Sequence, residues 1–191
     1  MKAEITRRLL LTGALVLALG AARAVADDGS GGLFTDWYNM AQSARENKTD
    51  QVLTFIHRGD NPNFLDEAGR SPLDYAASLG NVVMAKVLLD AGARPDYRDK
   101  FGSTPLHWAA EGGQIPMIEL LVAAKAPVDA ANRQGITPLM LAANADKGAA
   151  VRALLKAGAD PKKQDFTGRD ALGYATGRPE ALRALRASRA G

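Results

Sequence analysis

An all-α solenoid of stacked helix-turn-helix units, joined by β-hairpin turns, is the fold that this sequence of 191 residues predicts. Three observations point to it. Several residue types recur at a fixed step of 33 residues, a proline follows a hydroxyl residue at the same place in three copies, and the copies at the two ends are degenerate. A period of this length marks a supersecondary unit that cannot bury its own apolar face and depends on its neighbours for a core.

The period is carried by Gly69, Gly102, Gly135 and Gly168, by Leu73, Leu106, Leu139 and Leu172, and by Ala76, Ala109, Ala142 and Ala175. Asp66, Asp99, Asn132 and Asp165 open the units. Ser71, Thr104 and Thr137 offer a side-chain oxygen to the first turn of a helix, and Pro72, Pro105 and Pro138 follow where no amide donor is needed. The first helix of each unit is therefore expected to begin there. The glycine just upstream suits a positive φ, and the pairs Ala76-Ala77, Ala109-Ala110 and Ala142-Ala143 let helices approach closely. Second helices bury Val87-Leu88-Leu89, Leu120-Leu121-Val122 and Ala153-Leu154-Leu155. Gly92 and Gly158 end two of them as left-handed caps, Lys125 stands in the middle copy, and Pro116 is a first-turn proline.

The ends read as caps. The segment 36–63 lacks the Thr-Pro-Leu turn but keeps two helical patterns and the closing Gly59-x-x-Pro62. In the last copy Ala171 replaces the proline and Thr176 the second alanine, and the second helix is expected to be shortened to Pro179–Arg186. The organisation is then a leader at 1–26, a linker at 27–32, a capping unit at 33–65, full units at 66–98, 99–131 and 132–164, and a degenerate cap at 165–191.

The second copy reads Thr104-Pro105-Leu106-His107-Trp108-Ala109, and this motif, with the period, resembles the ankyrin repeat over residues 36–188. The resemblance implies that His107 holds neighbouring turns together by hydrogen bonds, with Asp74, Met140 and Gly173 in its place elsewhere. It also implies a binding surface on the hairpin tips and on the exposed face of the first helices. By register that surface takes Glu67 and Arg70, with Ala68, Ser78 and Leu79, from the first full unit; Arg98 leads into the second, which adds Lys100, Phe101, Ser103 and Glu111. Arg133, Gln134, Ile136 and Asn144 follow, then Phe166 and Arg169. Exposed Phe101, Ile136 and Phe166 among arginines would be the mix found at interface hot spots. Exported bacterial members of the family imply an accessory role beside other exported enzymes, including protection against peroxide.

Charge and composition exclude several classes. The net charge is +3, but Lys2, Arg7, Arg8 and Arg23 against Glu4 place that excess in residues 1–26, and the remainder is balanced, which offers no case for nucleic acid. The absence of cysteine excludes disulfides, thiol catalysis and cysteine-ligated metals. Met1–Ala26 combines a basic start, an uncharged run from Leu9 to Ala22 and a small-residue site at Ala24-Val25-Ala26, the grammar of a cleaved signal peptide. The run is shorter than the roughly 20 apolar residues of a spanning helix. Arg7-Arg8 fits either the general or the twin-arginine export route.

The expectation is an exported, periplasmic or secreted monomer that binds another exported protein, without catalysis, cofactor, metal or membrane insertion after cleavage. His57 is read as a dipole-complementing residue at a helix end, and Tyr75, Trp108, Leu141 and Tyr174 as packing at one register. A toxin inhibitor, an enzyme with a convergent site and a small-molecule carrier are the competing readings.

Overall fold

A computed structural model of the chain describes residues 40–188, which lie within the unit Trp37–Gly191. The leader and linker expected at 1–26 and 27–32, and the start of the first capping unit, fall outside the described residues. The described chain opens in a helical segment at 40–45 and continues as α1 (Thr49–His57). Three helix pairs follow: α2 (Pro72–Leu79) with α3 (Val82–Asp90), α4 (Pro105–Gly112) with α5 (Ile115–Ala123), and α6 (Pro138–Asn144) with α7 (Gly148–Lys156). The last pair is α8 (Ala171–Tyr174) and α9 (Pro179–Ala187).

The first helices α2, α4, α6 and α8 pack one on the next, and α1, α3, α5, α7 and α9 form the second row. Leu73, Leu106 and Leu139 sit in the first row with no accessible surface, and Met84, Leu88, Met117, Leu121 and Leu154 do the same in the second. Burying each such side chain contributes about 1.5–3 kcal/mol. The alanine pairs of α2, α4 and α6 are also fully covered, which is how the first helices come close enough to stack.

Helix starts follow from the hydroxyl-proline pairs. The Ser71 hydroxyl accepts from the Asp74 amide at 3.2 Å, while the Asp74 carboxylate accepts from the Ser71 amide at 2.8 Å, a reciprocal box that satisfies two otherwise free donors. Before α6 the same box is looser, with Thr137 and Met140 contributing contacts of 3.4 Å each way. Gly80 and Gly113 end α2 and α4 at φ of 71° and 73°, and Lys125 takes the left-handed turn after α5 at 66° without being glycine.

Between units the chain makes a tight tip. The Asp99 amide donates to the Ser103 carbonyl and the Gly102 amide to the Asp99 carbonyl, both at 2.9 Å, and the other units repeat this pattern. The tips are turns; no strand occurs among the described residues. They are joined to each other, Arg133 N–H to the Phe101 carbonyl at 2.9 Å and Phe166 N–H to the Gln134 carbonyl at 3.1 Å. That closeness constrains the tip glycine twice. Gly135 has φ of 81°, and a Cβ there would lie 2.8 Å from the Phe166 nitrogen, whereas one on Gly168, with no further tip beside it among the described residues, meets nothing within 4 Å.

Polar side chains also stitch the units at both ends of the second helices. Asn81 caps α3 and donates to Asn47 and Thr49 at 2.7 and 2.9 Å, Asn63 bonds both Gly92 and Arg94, and Asp146 accepts from the Ala181 amide at 2.9 Å.

The last unit corrects an expectation. Its second helix is not shortened: α9 runs nine residues, as long as α3, α5 and α7, and it is α8 that is cut to four. Ala171 lacks the pre-set φ of proline and Gly173 is a poor helix former, so the first helix is short, and Gly177 at φ 74° turns the chain early. Ala181, Ala184 and Leu185 remain buried on the side of α9 facing α7, and that packing sustains the second helix.

Candidate protein-binding edge

The tips line up as an edge because each unit repeats the same turn one layer further on. Glu67, Lys100, Phe101, Arg133, Gln134, Phe166 and Arg169 are exposed on it, and Glu111 and Asn144 are exposed on the first helices beside it. Phe101 and Phe166 keep 64% and 79% of their surface in solvent, which nothing in the packing of the chain requires.

Two of the expected surface residues are not surface anchors. Ser103 is 6% exposed, its amide held by the Asp99 carboxylate at 2.8 Å, and Ile136 is half-buried against the core. Both follow the tip glycine, at the register of Arg70 and Arg169. The following tip covers that position in the second and third full units, whereas Arg70 lies out on Trp108 and Arg169 has no tip beyond it among the described residues. Arg98, also exposed, spends its guanidinium on the Gly102 and Ala131 carbonyls at 3.0 and 2.6 Å, tying one loop to the next. Lys100 donates to the Glu67 carbonyl of the preceding tip.

The motif Thr104, Pro105, Leu106 and His107 is buried throughout. His107 Nδ1 accepts from the Thr104 amide at 3.0 Å and lies 2.9 Å from the Thr104 hydroxyl. Since that amide only donates, the ring proton sits on Nε2, which donates to the Ile136 carbonyl of the next tip at 3.0 Å. Burial pushes the imidazole down to about 4, so it is neutral and links two units. At the same register Asp74 bonds only within its own unit, and burial pushes its carboxyl up to about 7, with Oδ1 left unpartnered.

The units also differ in how their opening aspartate is satisfied. The Tyr75 hydroxyl donates to Asp66 at 2.5 Å and that of Tyr174 to Asp165 at 2.7 Å. Trp108 stands where those tyrosines do but has no hydroxyl, and both its Nε1 and Asp99 Oδ2 are buried without a partner. The tryptophan serves instead as a platform for Arg70, whose guanidinium carbon is 3.6 Å from the ring centroid and 5.5 Å from that of Tyr75.

Two recesses open along the edge. One, of about 480 Å³, is lined by Arg45, Ala68, Arg70, Tyr75, Ser78, Leu79 and Phe101. The other, of about 170 Å³, is lined by Phe101, Ser103, His107, Trp108, Glu111, Asn132, Gln134, Ile136 and Leu141. Phe101 is the wall between them. Sequence reasoning missed Arg45, although it lies one period before Ser78 and two before Glu111, because the first capping unit lacks the turn that sets the register.

Among the described residues no cluster of three histidines, aspartates or glutamates is placed to hold a metal, and no helix is long and apolar enough to cross a membrane.

Comparison with known proteins agrees with this anatomy. A family model described as ankyrin repeats, in three copies, matches residues 40–132, and one for the single ankyrin repeat matches 134–166. A 53-residue stretch is 42% identical to the ankyrin repeat and LEM domain-containing protein 1 homolog of Caenorhabditis elegans; it covers 28% of this chain and 8% of that protein. With the matched models spanning well over half of its length and the stacked helix pairs in place, this chain belongs to the ankyrin-repeat family.

Proposed function

We propose that this protein is a non-enzymatic scaffold that binds another protein along its hairpin edge and the adjoining faces of α2, α4 and α6. The observation that carries the reading is the exposure of Phe101 and Phe166 on the tips, beside Arg70 and Arg133, neither of which has a carboxylate partner among the described residues. Apolar surface and unpaired guanidinium on one rigid edge is what a protein interface is made of. The buried His107, bonded at both nitrogens, serves the stack. Calorimetry with a partner isolated on the purified chain tests the site. Phe101→Ala and Arg133→Ala should each weaken the complex by more than about 1 kcal/mol at unchanged melting temperature, whereas Lys86→Ala and Arg152→Ala on the second helices should not. Equal affinity for all four variants would defeat it.

The proposal includes export to the periplasm as a monomer that meets an exported partner, supported by the signal-peptide grammar of Met1–Ala26. Intact-mass measurement from the native compartment should then find a chain beginning at Asp27, and a membrane-retained chain beginning at Met1 would count against it.

A further inference from the structure

The recess between the first capping unit and the first two full units has a chemistry that the rest of the edge lacks. Two guanidiniums line it, Arg45 and Arg70, together with Leu79 and Phe101, and no acidic residue does. Leu79 and Phe101 keep 45% and 64% of their surface exposed. Arg45 makes no ion pair among the described residues, and the Arg70 guanidinium makes neither an ion pair nor a hydrogen bond there.

The last unit shows what Arg70 would do if left to itself. Asp165, Gly168, Arg169 and Tyr174 repeat Asp66, Gly69, Arg70 and Tyr75 at the same register. Arg169 folds back on its own unit, 3.4 Å from Asp165, 3.1 Å from the Tyr174 hydroxyl and 3.2 Å from that of Thr167. Arg70 instead lies flat on Trp108 of the following unit. Stacking fixes the plane of the guanidinium and leaves its edge, with its N–H donors, free for a planar acceptor. A carboxylate meets that edge with two parallel hydrogen bonds, and Arg45 supplies the second charge.

We propose that this recess is the specificity site of the scaffold: it takes an Asp or Glu side chain, adjacent to a bulky apolar residue, from a linear segment of the partner protein. The apolar residue packs on Leu79 and Phe101 while the carboxylate meets Arg70 and Arg45. The edge continues past the recess to Arg133, so the segment runs through the site rather than ending in it. Beyond Phe101 the lining changes to Glu111 with Asn132 and Gln134, no lysine or arginine lines it and its histidine, His107, is buried and neutral, which disfavours a second carboxylate one unit further on. The proposal rests on the protein-binding reading above but is separable from it.

Selection of short random peptides, displayed without a free carboxyl terminus, against the purified chain tests it. The wild type should enrich an acidic residue next to an aromatic or aliphatic one. Arg70→Glu should weaken a selected peptide by at least about tenfold and shift a fresh selection towards lysine or arginine at that position. Arg45→Glu should act in the same direction, and since Arg45 is exposed it serves as the test should Arg70→Glu fail to fold. Arg152→Glu should change nothing. Selections that enrich no acid, that are the same for wild type and both charge reversals, or that succeed only with free carboxyl termini would overturn the proposal. An isolated partner that loses affinity with Phe101→Ala but not with Arg45→Glu or Arg70→Glu would sink this inference alone; one indifferent to Phe101→Ala would sink the binding edge itself.

Discussion

The first full unit and the last unit carry the same four residues in the same register, and they use them differently. In both, an aspartate at the start of the tip accepts from a tyrosine hydroxyl. In the last unit Arg169 completes the cluster, and the Thr167 hydroxyl, followed by the tyrosine and the nearby amides, holds the Asp165 carboxyl well below the usual carboxylate range. In the first, the Arg70 guanidinium is drawn away to Trp108 and leaves its own aspartate to the Tyr75 hydroxyl and the Arg70 backbone amide. What separates the two is Trp108 of the neighbouring unit, together with Thr167, which stands where the first unit has Ala68. A side chain in a solenoid belongs partly to the next unit, so the same residues at the same register do not give identical chemistry along the stack.

The same contrast between an enclosed unit and an end unit orders the mutational effects. The largest belongs to the core: Leu106→Ala, fully buried between two neighbours, should cost about 2–5 kcal/mol in chemical denaturation. Leu172→Ala at the same register, half-buried and packed by a unit on one side among the described residues, should cost clearly less. Equal losses would mean that the end unit is as tightly packed as the middle.

Next comes the tip glycine. Gly135→Ala and Gly168→Ala both force alanine into the left-handed region, at about 1–2 kcal/mol. Only the first also drives a Cβ into the backbone of the next tip, so it should lower the melting temperature more.

A third comparison concerns the buried box positions, which respond to pH with opposite sign. Burial raises the Asp74 carboxyl from 3.8 to about 7, so its contribution is present below pH 4 and lost as pH rises through about 7. Burial lowers His107 from 6.5 to about 4, so its contribution is present above about pH 6.5 and lost as pH falls towards 4. The two slopes oppose each other between those limits. Asp74→Asn should therefore raise stability at pH 8, by about 1 kcal/mol or more, and leave a protein that weakens on acidification. His107→Gln should leave one that weakens as pH rises. Parallel stability-pH curves for wild type and Asp74→Asn would contradict the assignment.

The smallest effect is on the two arginines themselves. Arg169→Ala removes the exposed partner of a buried aspartate that keeps its Thr167 and Tyr174 hydroxyls, and Arg70→Ala removes a stacked cation worth about 0.5–1 kcal/mol, so thermal melts should barely tell them apart. Their difference lies in binding.

How far this was legible in the sequence follows from the same physics. The 33-residue step, the hydroxyl-proline starts and the tip glycines are local requirements, and they located the helices of the full units. The expected shortening of α9 fails because helix-forming residues and the packing of Ala181, Ala184 and Leu185 together keep it as long as its counterparts. For the edge, register located Phe101 and Arg133 but also suggested Ser103 and Ile136, because register gives a position and not how far a side chain must reach to leave the shadow of the next tip. The stacking of Arg70 on Trp108 is a contact between different register positions of different units, and no pattern within one unit encodes it.

The structure of a Trp108→Leu variant tests the effect of the neighbour most directly, since leucine already occupies that register in the third full unit as Leu141. With the platform gone, Arg70 should turn back to its own unit and come within ion-pair distance of Asp66 and the Tyr75 hydroxyl, as Arg169 does with Asp165 and Tyr174. An Arg70 that still projects unpaired into the recess would contradict the account.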